Sequence, residues 1–150
     1  MIFIAHRGNI SGIDKEKENS PDYLIKAINL GFDVEIDLRV IKNKIFFGHD
    51  KGDYEIDNDW LKKYKSSCWF HAKNIQGLIY LLNYQSNIDS KINFFWHEND
   101  DYALTSQGYI WAYPGKEGGN NCISVLPEIN NTNISKFSGI CSDVLNKYIK

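Results

Sequence analysis

The chain has 150 residues, 43% of them apolar, and a formal net charge of −2. Such a length and apolar content predict one domain, 1–150, around a single core, and the scattered basic residues argue against nucleic acid or an anionic membrane surface as partner. With no basic leader and no 18-residue apolar stretch, the sequence reads as cytoplasmic and without membrane insertion.

The first strand-like run is Ile2-Phe3-Ile4-Ala5-His6. A polar loop over 8–19 leads to a helix with Ser20 as N-cap, Pro21 at its first position, Asp22 against the dipole and Gly31 past its end. Asp33 to Leu38 alternates carboxylates with aliphatics, and Lys42-Asn43-Lys44 predicts a hairpin that returns along 45–48 to His49-Asp50. A short helix around 58–65 precedes a third strand over 68–73. Asn74 then caps a helix in which Ile75, Leu78, Ile79 and Leu82 recur at helical spacing. Further strands are predicted over 93–97, 109–113, 122–126 and 139–141, followed by a final helix capped by Ser142 that turns Val144, Leu145, Tyr148 and Ile149 inward. The three cysteines, Cys68, Cys122 and Cys141, are odd in number and read as buried free thiols.

Strands alternating with helices imply βα units and a mostly parallel sheet. The chain is far shorter than the ~250 residues typical of a (β/α)₈ barrel, and 106–141 carries no helical period, so helices there are reduced.

Each of the four histidines, His6, His49, His71 and His97, closes a strand-like run. In parallel sheets, polar groups at the carboxyl ends of strands converge on one mouth, where such folds put their chemistry. Glu35 and Asp37, two apart on a strand, leave the same face roughly 6–7 Å apart at their backbones. They suit a hard cation such as Mg²⁺ or Ca²⁺, or they are simply a solvent-facing strand side. His6-Arg7-Gly8 joins an imidazole suited to acid or base work with a guanidinium suited to phosphate, and His49 offers a second imidazole. Each histidine taken alone is more commonly a structural hydrogen-bonder. His97, Glu98, Asp100 and Glu128 add polar groups near strand ends without an assigned role.

The order His6-Arg7-Gly8, Glu18-Asn19-Ser20-Pro21, Gly31 to Asp37 with its Glu35-Ile36-Asp37, and His49-Asp50 resembles the glycerophosphodiester phosphodiesterase family, of the PI-PLC-like phosphodiesterase superfamily. Phe70-His71-Ala72-Lys73 stands where that family has a strand ending Glu-x-Lys. Trp111-Ala112-Tyr113 looks like its Trp-Thr-Val, and Gly139 to Asp143 like its closing Gly-Ile-x-Thr-Asp. The resemblance is dense over 1–50 and sparse but ordered over 68–143. It implies a compact TIM-barrel-like (β/α) barrel, shortened, with reduced helices in its C-terminal half. It further implies cleavage of a glycerophosphodiester or a related polyol- or sugar-phosphate diester, through a cyclic phosphate. In that reading His6 and His49 are the acid/base pair, and Glu35, Asp37 and His71 hold a divalent ion. Arg7, Lys73, Glu18 and Trp111 serve the phosphate and substrate. The departure at His71, where the family has a carboxylate, leaves open whether it ligates the ion. It makes Mn²⁺ or Zn²⁺ acceptable beside Mg²⁺ or Ca²⁺. A lyase that stops at the cyclic phosphate and a non-catalytic phosphate-binding barrel are the alternatives, and the sequence carries no signal for oligomeric state.

Overall fold

The computed structural model describes residues 1–87 and 91–149. Ten strands form one mixed sheet: β1 (Ile2–His6), β2 (Asp33–Ile41), β3 (Lys44–Phe47), β4 (Tyr54–Ile56), β5 (Cys68–Ala72), β6 (Asn93–Trp96), β7 (Tyr102–Leu104), β8 (Ile110–Ala112), β9 (Cys122–Val125) and β10 (Gly139–Ser142). Strands β6, β5, β2, β1, β10, β9 and β8 run parallel in that spatial order. β7 adds antiparallel to β8, and the β3–β4 hairpin adds to the far half of β2. The link from β2 to β3 turns on Lys42 and Asn43, both at positive φ (49° and 62°), the backbone that matches the twist of paired strands.

The expected compact TIM-barrel-like (β/α) barrel is not what this sequence forms. The sheet is a mixed half-barrel with few, short helices: α1 (Pro21–Asn29), α2 (Asn58–Tyr64), α3 (Ile75–Asn87) and the four-residue α4 (Pro127–Asn130). The physical reason is chain length. Past α3 the links between strands are hairpins, loops and single turns, too short to lay a helix over each strand. Among the described residues no strand ladder joins β6 to β7. Instead, the edge of β6 meets Ser106, whose N–H donates to Phe94 O (2.8 Å) and whose Oγ accepts from Phe94 N–H (3.0 Å). The final helix is also absent: Ser142 ends β10, its Oγ accepts from Val144 N–H (3.0 Å), and only a 3-10 turn over 145–147 follows. The strands β4 and β7 have no counterpart in the sequence reading.

Alternation along β2 explains the layering. Val34, Ile36 and Leu38 point to the helices and pack with Leu24, Phe70 and Leu81, whereas Glu35 and Asp37 point to the concave side. That side is floored by a second apolar cluster, including Ile4, Trp69, Phe95, Trp111 and Ile123. α3 buries Gly77, Leu81 and Tyr84 and leaves Ile75, Ile79 and Leu82 exposed, because Gly77 lets the helix lie within contact of the Leu38 and Arg39 backbone. All three cysteines are free and buried. Among the described residues no helix is long and apolar enough to cross a membrane.

Candidate active site

β1 delivers His6 to the mouth, and the chain then reverses through Arg7 (φ 52°) and Gly8 (φ 89°). A Cβ on Gly8 would stand 2.8 Å from the Tyr23 ring, so the turn needs glycine. The reversal folds Arg7 back over the carboxylates. Its N–H donates to Glu35 Oε2 (3.3 Å), its Nη1 donates to Glu18 Oε2 (3.2 Å), and its Nε lies 3.0 Å from Asp37 Oδ2.

His6 Nδ1 is 2.8 Å from Asp143 Oδ1, while its Nε2 faces Glu35 Oε2 at 3.9 Å. Burial opposes charge on this imidazole, but the Asp143 hydrogen bond and the Glu35 charge outweigh it and raise its basicity. Asp143 is itself positioned from behind. Glu128 Oε1 accepts its backbone N–H and Glu128 Oε2 accepts the Ser142 hydroxyl, both at 2.9 Å. Asn9, fully buried, donates from one amide nitrogen to Asp143 Oδ1 (2.8 Å) and to Glu18 Oε1 (2.9 Å). The sequence reading gave no site role to Asn9 or Asp143 and no assignment to Glu128. Two signals pointed to Asp143: its strand-end position, the same that singles out the histidines, and its place at the end of the Gly139 to Asp143 run.

Strand register brings Asp37 beside His71, and His71 beside Phe95. His71 Nδ1 is 3.4 Å from Asp37 Oδ1 and 3.8 Å from Glu35 Oε1, with its ring stacked on Phe95. Asp37 also takes Asn19 Nδ2 (3.0 Å) on Oδ2 and has Lys73 Nζ 3.7 Å from Oδ1. Burial pushes the Asp37 carboxyl up, yet His71, Arg7 and Lys73 together hold it below the ordinary range. Glu35 lacks comparable relief. Burial, then the Asp37 charge, raise its carboxyl, although His6 and Arg7 pull the other way.

His49 stands at the rim, 41% exposed, with Nδ1 2.6 Å from Asp50 Oδ1. Its turn is held by Arg39, which donates to the carbonyls of Gly48 and His49. Gly48 is at φ 144° with no room for a Cβ beside Lys51 O. Together with His6, Arg7, Glu35, His71 and Lys73, His49 lines a cleft of about 510 Å³. Glu18 supports Arg7 from below, and Trp111, 2% exposed, is floor rather than rim. The other wall of the cleft carries His97, Glu98, Tyr113 and Leu126.

Seven buried side-chain polar atoms among the described residues have no hydrogen-bond partner in the protein, and five belong here: Arg7 Nε, Asp37 Oδ1, His71 Nε2, His97 Nδ1 and Tyr113 Oη. Arg7 Nε and Asp37 Oδ1 still have ion-pair contacts, 3.0 Å to Asp37 Oδ2 and 3.4 Å to His71 Nδ1, whereas a buried polar atom with no contact costs about 1–3 kcal/mol, so the concentration of such atoms here makes the cleft the candidate site. For a divalent ion the donors fit. Glu35, Asp37 and His71 offer ligand atoms all within 4.8 Å of one another. Donors about 2.0–2.3 Å from a shared ion stand roughly 3–4 Å apart, as His71 Nδ1 does from both carboxylates. Asp37 Oδ1, buried and with only long contacts to His71 Nδ1 (3.4 Å) and Lys73 Nζ (3.7 Å), is an atom such an ion would satisfy. No protein-family model matches the chain, nor does any curated protein or solved structure.

Proposed function

We propose that the chain is a metal-dependent phosphodiesterase acting on a glycerophosphodiester or a related polyol- or sugar-phosphate diester. The observation that carries this reading is the convergence in one cleft of two imidazoles, a guanidinium and a carboxylate–carboxylate–imidazole trio. An ion held by Glu35, Asp37 and His71 would supply Lewis-acid neutralisation of the phosphoryl oxygens.

The remaining work falls to side chains. Arg7, its guanidinium braced by Glu18, and Lys73 add positive charge where a phosphate would rest. His6, with Nδ1 fixed on Asp143 and its basicity raised, suits the base that takes the proton from a neighbouring substrate hydroxyl as that oxygen attacks phosphorus. His49 at the rim suits the acid that protonates the departing alcohol oxygen as the P–O bond breaks. The cyclic phosphodiester so formed is opened by water with the two imidazoles exchanging roles. A lyase would stop before that last step.

Phosphorus NMR of a phosphodiester panel with Mg²⁺, Ca²⁺, Mn²⁺ and Zn²⁺ in parallel tests the reading. Consumption of a diester to a monoester supports the hydrolase, and accumulation of a cyclic phosphate supports the lyase. No turnover of any diester with any ion rejects both in favour of a binding module.

A further inference from the structure

Two of these five buried atoms, His97 Nδ1 and Tyr113 Oη, belong to a single stacked pair. The two rings lie 3.6 Å apart at 20°, and both residues line the cleft that His6 and Arg7 line. Both residues are half-buried and line the cleft, while the two polar atoms are themselves buried. Rotation about χ2 moves His97 Nδ1, whereas Tyr113 Oη lies on its own χ2 axis and reaches an occupant by a small shift of the whole side chain.

The pair joins an imidazole nitrogen, able to accept a hydrogen bond, to a phenol O–H, able to donate one. A hydroxyl, which donates and accepts at once, matches such a pair. A quaternary ammonium would need an aromatic face, and here the two rings turn faces to each other. Glu98, the carboxylate on this wall, is exposed.

We propose that His97 and Tyr113 form the subsite that reads a hydroxyl on the alcohol portion of the substrate, selecting polyol phosphates over those ending in alkyl or quaternary ammonium groups. This rests on the phosphodiesterase reading above. The test is calorimetric titration of the full chain, with Mn²⁺ present, against glycerol 3-phosphate, propyl phosphate and phosphocholine. Glycerol 3-phosphate should bind about five- to ten-fold more tightly than the other two, the scale of one net hydrogen bond. Tyr113→Phe and His97→Phe, which keep the ring stack, should each reduce its affinity to that of propyl phosphate and leave propyl phosphate unchanged. Tyr113→Phe should also melt higher than wild type, since it removes an unsatisfied phenol. Equal affinities for the three ligands in the wild type, or full selectivity surviving in both variants, overturns the subsite while leaving the phosphodiesterase reading intact. Failure of all three to bind overturns that reading and the subsite with it.

Discussion

The two walls of the cleft are built on different physics. On the wall of β1, β2 and β5, charged groups are linked in one chain through the neutral Asn9: Asp143 to Asn9, Asn9 to Glu18, Glu18 to Arg7, Arg7 to Asp37. On the wall of β6 and β8, position is set by ring packing. His71 stacks on Phe95, Phe95 on Trp111 at 4.7 Å, and His97 on Tyr113. The first wall is preorganised by directional bonds, so removing one partner leaves a buried charge exposed to the full desolvation cost. The second is held by dispersion and shape, which lose strength gradually with volume. His71 belongs to both, bonded on its edge and stacked on its face.

That contrast is broken or sharpened first at the carboxylates. Glu35→Gln and Asp37→Asn should each lower turnover by a factor on the order of 10³ and abolish calorimetric ion binding, as loss of a metal-assisted site implies. Their stabilities should part company. Asp37→Asn strips the partner from Arg7, Lys73 and His71 and should cost about 3 kcal/mol in chelator. Glu35→Gln removes a charge that burial disfavours and should not destabilise. Equal melting curves for the two would show that the tethered network does not hold the wall.

Next in size, His6→Ala and Asp143→Asn should each cut turnover by about 10² or more. If the two imidazoles act as one unit, as proposed, a His6→Ala/His49→Ala double variant should lose far less than the product of its parts. Near wild-type rates in any of these single variants would make that residue structural.

The electrostatic tether also sets a pH signature. A histidine whose folded basicity is raised above its ordinary value of 6.5 stabilises the fold fully below that value, and the contribution is lost as pH climbs through the raised one. Melting temperature in chelator should therefore fall more steeply above neutrality in the wild type than in His6→Gln. Parallel profiles would remove His6 from the stabilising network.

The smallest effect belongs to the packed wall. Phe95→Leu should cost about 1–2 kcal/mol by thermal unfolding, through lost volume, while turnover stays within about threefold. A collapse in turnover with the fold intact would mean that the Phe95 stack orients His71 for chemistry and that the two walls are not separable.

Much of the charged wall was legible because period-two alternation and strand ends are local signals. Glu35 and Asp37 share a face by spacing alone, and His6, His49 and His71 lie in one cleft as the strand-end pattern required. The helix α1 starts at Pro21 after Ser20, as expected, although the Ser20 side chain makes no cap bond. What escaped depends on contacts far apart in the chain. Glu128 reaches Asp143 only because a one-turn helix flanked by left-handed Leu126 and Asn131 turns it back onto β10. The barrel expectation failed on length: family-like order over the first fifty residues says nothing of how few residues remain to build covering helices. Likewise Ile75, Ile79 and Leu82 keep a helical period that reads as core, yet Gly77 draws the opposite face onto β2.

The pairing of β1 with β10 joins Ile2 to Gly139 and Ala5 to Ser142, and the His6–Asp143 bond at its top spans 137 residues of sequence. During synthesis the hairpin of β2 and β3 can form as soon as it emerges, since its contacts are local. The His6–Asp143 contact cannot. It requires β10, far along the sequence, to pair with β1, so a polypeptide that has already built the carboxylates of β2 holds them before His6 meets its partner. Under the proposed reading, competence for chemistry therefore comes after the carboxylates are in place, and it depends on a strand held between β1 and β9.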